Sequence, residues 1–467
     1  MTSINSIFNL GQSGIQTSAA AVSVTAKNIT NASNPNHTRQ VLTLHALEVR
    51  EGMPGGVNFG RIARSFDRFA FSNLLREKSH QGAADGRSRV LADAERIATP
   101  AGAQTLGDTI DRFFSSLTEL ALKADDPTAR TAVLSNGGDV ARRFNEIAEG
   151  LSASRRDILT EMGDIASDLT EKLRKIADFN RLIGQNTAEA NSPSLPALLD
   201  ARDALVREVA EEIDINVIYN DKNGVTILSS GSTLVEHSDF ARVVVGTDAA
   251  NNVQVQFVRG TKVNDITSKL DGGRLGGLLE ARDTDLVNLK TDIDAFAKDF
   301  ADAVNLEHLA GEDLNGAAGT LLFSDGTGAV LGVDPAASIQ INPNILAAAV
   351  PTDLIAAAAV GEGIGGNTQA LAMALVAEGS VPALGVASER WALYTGRLGT
   401  TLKGAMNELN LRNNTVLHAA TVRDSSSGVS LDDEMVALTK YQRGFEAGMR
   451  VLQAADEMLS EVIRRLG

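Results

Sequence analysis

Six histidines, His37, His45, His80, His237, His308 and His418, are the side chains of this 467-residue chain best suited to proton transfer or metal binding. No two are four residues apart, so no helix face presents a pair of imidazoles to a metal ion. There is no cysteine, which removes thiolate nucleophiles, disulfides and cysteine zinc sites. Neither G-x-S-x-G nor a Walker A loop occurs. Gly361-Glu362-Gly363-Ile364-Gly365-Gly366 fits the glycine spacing that brings backbone amides to a pyrophosphate. Its surroundings do not fit: the preceding Leu354–Val360 is alanine-rich instead of β-branched, and no acid-bearing second strand follows, so the segment reads as a loop before a helix. The chain is therefore expected to be no enzyme, with no catalytic, cofactor-binding or metal-binding residue.

Composition narrows the partners. With 43 Lys and Arg against 59 Asp and Glu, the net charge is −16, which repels nucleic-acid phosphates and anionic membrane surfaces alike. The first charged residue is Lys27, yet residues 1–26 are no signal peptide or anchor, because polar residues or glycine interrupt every few positions. The apolar run Leu354–Val360 is far short of a membrane span. Hydrophobic residues make up 43% of the chain, ample for about three packed units.

The patterned segments lie at the two ends. Ile4, Phe8, Gly11, Ile15, Ala19, Val22, Ala26 and Ile29 mark one face of an amphipathic helix that ends near Asn31, ahead of Pro35. Leu431, Met435, Leu438, Gln442, Phe445, Met449, Leu452, Asp456, Leu459, Ile463 and Leu466 alternate steps of four and three, a coiled-coil seam, with Asp432 placed in the first turn to suit the helix dipole. Each end needs a partner helix, and each can supply the other's.

Between them, apolar spacing predicts a rod from about Val140 to Ala190, broken by Pro193 and Pro196, and a second helix over Leu198 to Glu212. Ile213, Ile215 and Val217, then Val253, Val255 and Phe257, alternate with polar residues and predict half-buried antiparallel strands over ~213–270. A helix resumes at about Arg274 and runs to Leu309, and the mixed stretch ~311–365 is taken to complete the β-rich part. The expected fold is mainly α with a β insertion: long terminal and central helices in a coiled-coil-like bundle, the two termini paired, carrying an outward antiparallel β domain. Residues 1–65 and 424–467 form the terminal assembly domain, 66–211, 274–310 and 366–423 the helical domain, and 212–273 and 311–365 the β-rich outer domain.

Asn28-Ile29-Thr30-Asn31-Ala32-Ser33-Asn34-Pro35-Asn36-His37-Thr38-Arg39-Gln40 resembles the N-terminal signature of the flagellar axial proteins, roughly N-N-I-A-N-A-N-T-P-G-Y-S-R-Q, with Asn36 standing where the family has a glycine turn. Four further segments are similar, in order, to the hook-filament junction branch of that family: Leu198-Leu199-Asp200-Ala201-Arg202-Asp203-Ala204-Leu205, Gly272 through Asp283, Asp313-Leu314-Asn315-Gly316 with Gly319, and Gly428 through Met435 with Lys440-Tyr441-Gln442. The alternative within the class is a hook or flagellin-like filament subunit; the two central segments discriminate for the junction branch.

The resemblance implies a self-assembling structural subunit of the bacterial flagellum, exported through the flagellar secretion channel without a cleaved signal, extracellular and serving motility. It implies as partners further copies of itself, the hook protein, a second junction protein (hook-associated protein 3) and an export chaperone, with no nucleic acid and no membrane insertion. Expected self-assembly residues are Ile15, Val22 and Ile29 on the first helix, Asn31, Arg39 and Gln40 of the signature, and Leu431, Met435, Leu438, Phe445, Met449, Leu452 and Leu459 on the last.

Overall fold

The computed structural model describes residues 2–47, 56–102, 104–187 and 194–466; Pro193 and the side chains of Ile4 and Leu466, used above, lie outside the described residues. Helix α1 (Thr2–Thr30) stops where Asn31 donates both its N–H and its Nδ2 to the Lys27 carbonyl, at 3.2 and 2.9 Å. Asn36 does not take the left-handed turn: positive φ among the described non-glycine residues is confined to Asn223, Ser230, His237, Asn251 and Asp334. Strands β1 (Gln40–Leu47) and β2 (Gly56–Arg64) then form an antiparallel hairpin with a bulge between Leu42 and Leu44. No strand was expected here, although the glycine- and proline-rich Gly52-Met53-Pro54-Gly55-Gly56 between two part-apolar runs is a hairpin signal.

The body begins with α2 (Arg68–Ala98), capped by the Asp67 carboxylate, which accepts from the N–H of Phe69 and Ala70 at 2.8 and 3.1 Å. A reciprocal capping box of Thr105 and Asp108 starts α3 (Leu106–Leu122). The rod is α4 (Pro127–Thr187), 61 residues and so about 90 Å long. It starts well before Val140, because Gly137 packs instead of breaking the helix: a Cβ there would lie 2.9 Å from Ile341 Cδ1 and 3.3 Å from Phe113 Cε2. The next helix is α5 (Leu195–Glu212), with Pro196 in its first turn, where the missing N–H does no harm.

Two antiparallel sheets lean on α4. One has the order β3 (Asn216–Tyr219), β4 (Val225–Ser229), β5 (Ser232–Glu236), β6 (Asp239–Phe240); the other is β7 (Arg242–Thr247), β8 (Val253–Arg259), β9 (Lys262–Asp265). Asn180 of α4 donates to the carbonyls of Val225 and His237 at 2.8 and 2.9 Å, and Thr170 Oγ1 accepts from Val243 N–H at 3.0 Å. Their inward residues, Ile227, Val235, Val255 and Phe257, join the same core as Leu169, Leu173 and Ile176 of α4.

The chain returns through α6 (Gly273–Glu280), a single π turn (Ala281–Asp285) and α7 (Leu286–Leu309). Gly277 is required where α6 crosses α2, since any Cβ would collide with the Ala83 carbonyl. The stretch after α7 holds two-residue strands β10 (Gly311–Glu312), β11 (Phe323–Ser324), β12 (Gln340–Ile341) and β13 (Ala358–Ala359), with short helices α8 (Pro335–Ser338) and α9 (Pro343–Leu346). Its pairs, β10 with β13 and β11 with β12, join neither larger sheet. They are pinned to the rods instead, Asn305 of α7 donating to Phe323 O at 2.7 Å and Asn145 of α4 to Ala336 O at 2.8 Å. Phe113, Phe300 and Phe323 meet edge to face there, centroids 5.3–5.8 Å apart. Helices α10 (Thr368–Leu375), α11 (Ala387–Ser427), which runs along α2, and α12 (Leu431–Leu466), which runs along α1, complete the chain.

Candidate functional site

The two ends of the chain meet in a helix pair. The α12 residues turned to α1 recur every seven positions: Glu434, Gly448 and Ala455 are buried and Tyr441 is half-buried. Small residues let the backbones approach: a Cβ on Gly448 would lie 2.8 Å from Ile15 Cγ1, and one on Gly11 would lie 3.0 Å from Leu452 Cδ2. This seam is rotated by roughly a fifth of a turn from the large apolar stripe of α12. Leu438 and Leu452 flank the seam half-buried, as do Val22 and Ile29 with Ile15 on α1. Leu431, Met435, Phe445, Met449 and Leu459 remain exposed. On another side of α1 lies the hairpin, where Thr17 Oγ1 donates to Val57 O at 3.3 Å.

Where the pair joins the body, the side chains are polar and buried. Asn28, 1% exposed, uses its whole amide: Nδ2 donates to Gln40 O at 2.9 Å and Glu434 Oε2 at 3.0 Å, while Oδ1 accepts from Gln40 N–H at 3.0 Å and faces His37 Nε2 at 3.2 Å. Arg39 Nε donates to Glu434 Oε1 at 2.7 Å, and Arg39 N–H to the Ser427 carbonyl at 2.9 Å, beside the break between α11 and α12. Asp200 of α5 accepts from Thr38 N–H at 3.3 Å and from Arg64 at 2.7 Å; the other arm of Arg64 reaches Asp203 at 2.8 Å. Burial opposes the Arg64 charge, and the Asp203 and Asp200 carboxylates more than offset it, leaving its pKa raised. Burial lowers the pKa of His37 against the pull of Asp200. The Gln40 side-chain amide is buried with no hydrogen-bond partner among the described residues.

The first-turn acid Asp432 is not the cap of α12. Ser430 takes that place, its Oγ facing Asp433 N–H at 3.4 Å and its carbonyl accepting from Glu434 N–H at 3.0 Å. The glycine loop at 361–366 folds on its own acid, the Glu362 carboxylate accepting from Ala359 N–H at 2.8 Å and Thr368 Oγ1 at 2.9 Å. Among the described residues no group of three His, Cys, Asp or Glu side chains could hold a metal ion, and no helix is long and apolar enough to cross a membrane.

The family model "Flagellar hook-associated protein FlgK helical domain" matches residues 91–323, and "Flagellar basal body rod FlgEFG protein C-terminal" matches residues 423–465. A Bacillus subtilis protein named flagellar hook-associated protein 1 is 26% identical over 96% of this chain and 96% of its own length. The chain belongs to the flagellar hook-associated protein family. It is a structural component of the flagellum and not an enzyme. The Escherichia coli relative of the same name is 27% identical over 70% of this chain, and the match spans 61% of that protein. The structure of the flagellar hook junction protein FlgK from Burkholderia pseudomallei shares the fold with a TM-score of 0.50 at 22% identity, covering 55% of this chain and 47% of that one.

The segments that resemble the hook-associated family prove to be joints. The first and last, with Asp200 and Asp203 of the second, form the polar cluster around Asn28 and Glu434. The third supplies Gly277 and then Asp283, which accepts from Val253 N–H at 2.8 Å and so fastens the β7–β8 turn to the π turn, where Arg282 is buried. In the fourth, Asp313 Oδ1 accepts from the N–H groups of Asn315 and Ala317, both at 2.8 Å, closing a turn on α7. Asn28, Asp200, Asp203 and Glu434 are not among the expected site residues although each lies in a quoted segment; no spacing in the chain marks which polar residues of a segment the fold brings together.

Proposed function

We propose that the chain self-assembles into the junction between hook and filament, with residues 1–65 and 424–467 as the assembly domain, 66–211, 274–310 and 366–423 as its helical body, and 212–273 and 311–365 as β-rich elements on that body. One observation carries the reading. After α1 is seated on the seam of Glu434, Tyr441, Gly448 and Ala455, α12 still presents Leu431, Met435, Phe445, Met449, Leu459 and Ile463 to solvent. A contiguous apolar stripe on a helix that already has one partner is the mark of a second partner. Each such side chain contributes roughly 1.5–3 kcal/mol when fully buried, enough to hold neighbouring copies together when several act at once.

The same reading takes the hook protein and a second junction protein, hook-associated protein 3, as neighbours along the axis, an export chaperone as the holder of the free subunit, and the cell exterior as the destination, reached through flagellar export without a cleaved signal. The test is Met449→Asp with Leu459→Asp in a strain lacking the native copy. The expected outcome is bare hooks by electron microscopy, with exported protein and the helical content of the purified variant unchanged. Filaments on those hooks would overturn the reading.

A further inference from the structure

The eight methionines fall into different environments. Met162 and Met373 are 0% exposed inside the body. Met435 and Met449 are 53% and 49% exposed, stand two heptads apart on the open stripe of α12, and are followed along it by Ile463. Met406 on α11 and Met458 on the opposite flank of the seam are also exposed. With no cysteine in the chain, thioethers are its only reactive sulfur.

We propose that Met435 and Met449 are modification sites through which peroxide controls assembly, a proposal that rests on the reading of the α12 stripe as the surface buried between copies. The thioether sulfur attacks one oxygen of hydrogen peroxide, the O–O bond breaks, the sulfur is oxidised by two electrons to the sulfoxide, and the other oxygen leaves as water. The sulfoxide oxygen is a strong acceptor. Packed against apolar side chains it has no donor, so the stripe that drives association becomes one that resists desolvation. The reaction runs on the free subunit only; once copies cover the stripe, these sulfurs are shielded as Met162 and Met373 are.

Purified protein is treated with hydrogen peroxide, mapped by peptide mass spectrometry, and added to isolated hooks. Expected are one added oxygen at Met435 and Met449 with Met162 and Met373 unmodified, unchanged circular dichroism, and incorporation reduced roughly tenfold or more. Methionine sulfoxide reductase restores incorporation. The double variant Met435→Leu/Met449→Leu incorporates normally and stays competent after peroxide, although Met406 and Met458 are still oxidised in it. Undiminished incorporation of the oxidised wild type would overturn the proposal, and so would equal loss in the double variant. If Met449→Asp/Leu459→Asp protein also incorporates without any oxidant, the stripe reading itself fails, and the proposal with it.

Discussion

Asn28 and Glu434, 406 positions apart in the chain, share a buried hydrogen bond of 3.0 Å. The same amide spans Gln40 on both its donor and acceptor sides, so one side chain ties α1, the first strand of the hairpin and the first turn of α12 together. Asn28→Ala leaves the N–H and C=O of Gln40 buried and unpaired, each a loss of about 1–3 kcal/mol. The expected result is faster hydrogen exchange throughout α1 and a body that melts as before. Asn28→Asp should do more harm than Asn28→Ala, because it sets a second carboxylate against Glu434. Unchanged exchange in α1 for both variants would show that the joint does not hold the helix pair.

Gly448 and Ile15 make the second prediction. Gly448→Val should separate α1 from α12, since even a Cβ would lie 2.8 Å from Ile15 Cγ1. Ile15→Ala should restore part of the loss, with a coupling of about 0.5–3 kcal/mol in a double-mutant cycle read by denaturant titration of the helix pair. Strict additivity would place the two residues out of contact.

Acid should weaken the body through His308. Its ring is fully buried, Nδ1–H donating to the Thr320 carbonyl and Nε2 accepting from Ala356 N–H at 3.0 Å. Burial, the largest influence, pushes its pKa from 6.5 down to about 4. The unfolded chain therefore binds the proton first. Stability is full above pH 6.5 and falls as pH drops towards 4, by about 3 kcal/mol from this residue. His308→Gln, less stable at pH 7, should lose less on acidification when urea midpoints are compared at pH 7 and 4.5. His37, also lowered chiefly by burial, acts in the same direction, and His37→Asn separates the two. Parallel curves for wild type and His308→Gln would refute the assignment.

Removing the sheets should not yield a trimmed, folded protein. Deleting residues 214–270 uncovers Leu169, Leu173 and Ile176, all buried on α4 in one core with the strands. At roughly 1.5–3 kcal/mol each, the exposed rod is expected to bind apolar dye and aggregate. A monomeric deletion protein with a sharp melting transition would show that the sheets are dispensable ornaments of the rod.

The helices were legible because their signal is periodic and strong: the end of α1 lay within a residue of Asn31, and α12 begins at Leu431. The partner-facing side of α12 was not, because Gly448 and Ala455 add little to an apolar count yet decide how closely two backbones approach. Large side chains such as Met435 and Phe445 dominate the pattern and point elsewhere. Gly137 hid the start of α4 for a related reason: helix propensity alone disfavours it, while its packing on Phe113 and Ile341 favours it. The buried joint was present in the resemblance but silent in periodicity, since hydrogen-bonded Asn28, Asp200 and Glu434 have no characteristic spacing and find one another only through the fold.

Because α1 finds its seam only on α12, competence arrives late. During synthesis the first helix has to wait about 400 residues before its partner exists. A product cut short anywhere before residue 431 has a complete α1 and nothing to close it. The geometry thus discriminates by length: only a chain that extends well into α12 can form the pair, and shorter pieces keep an open face on α1.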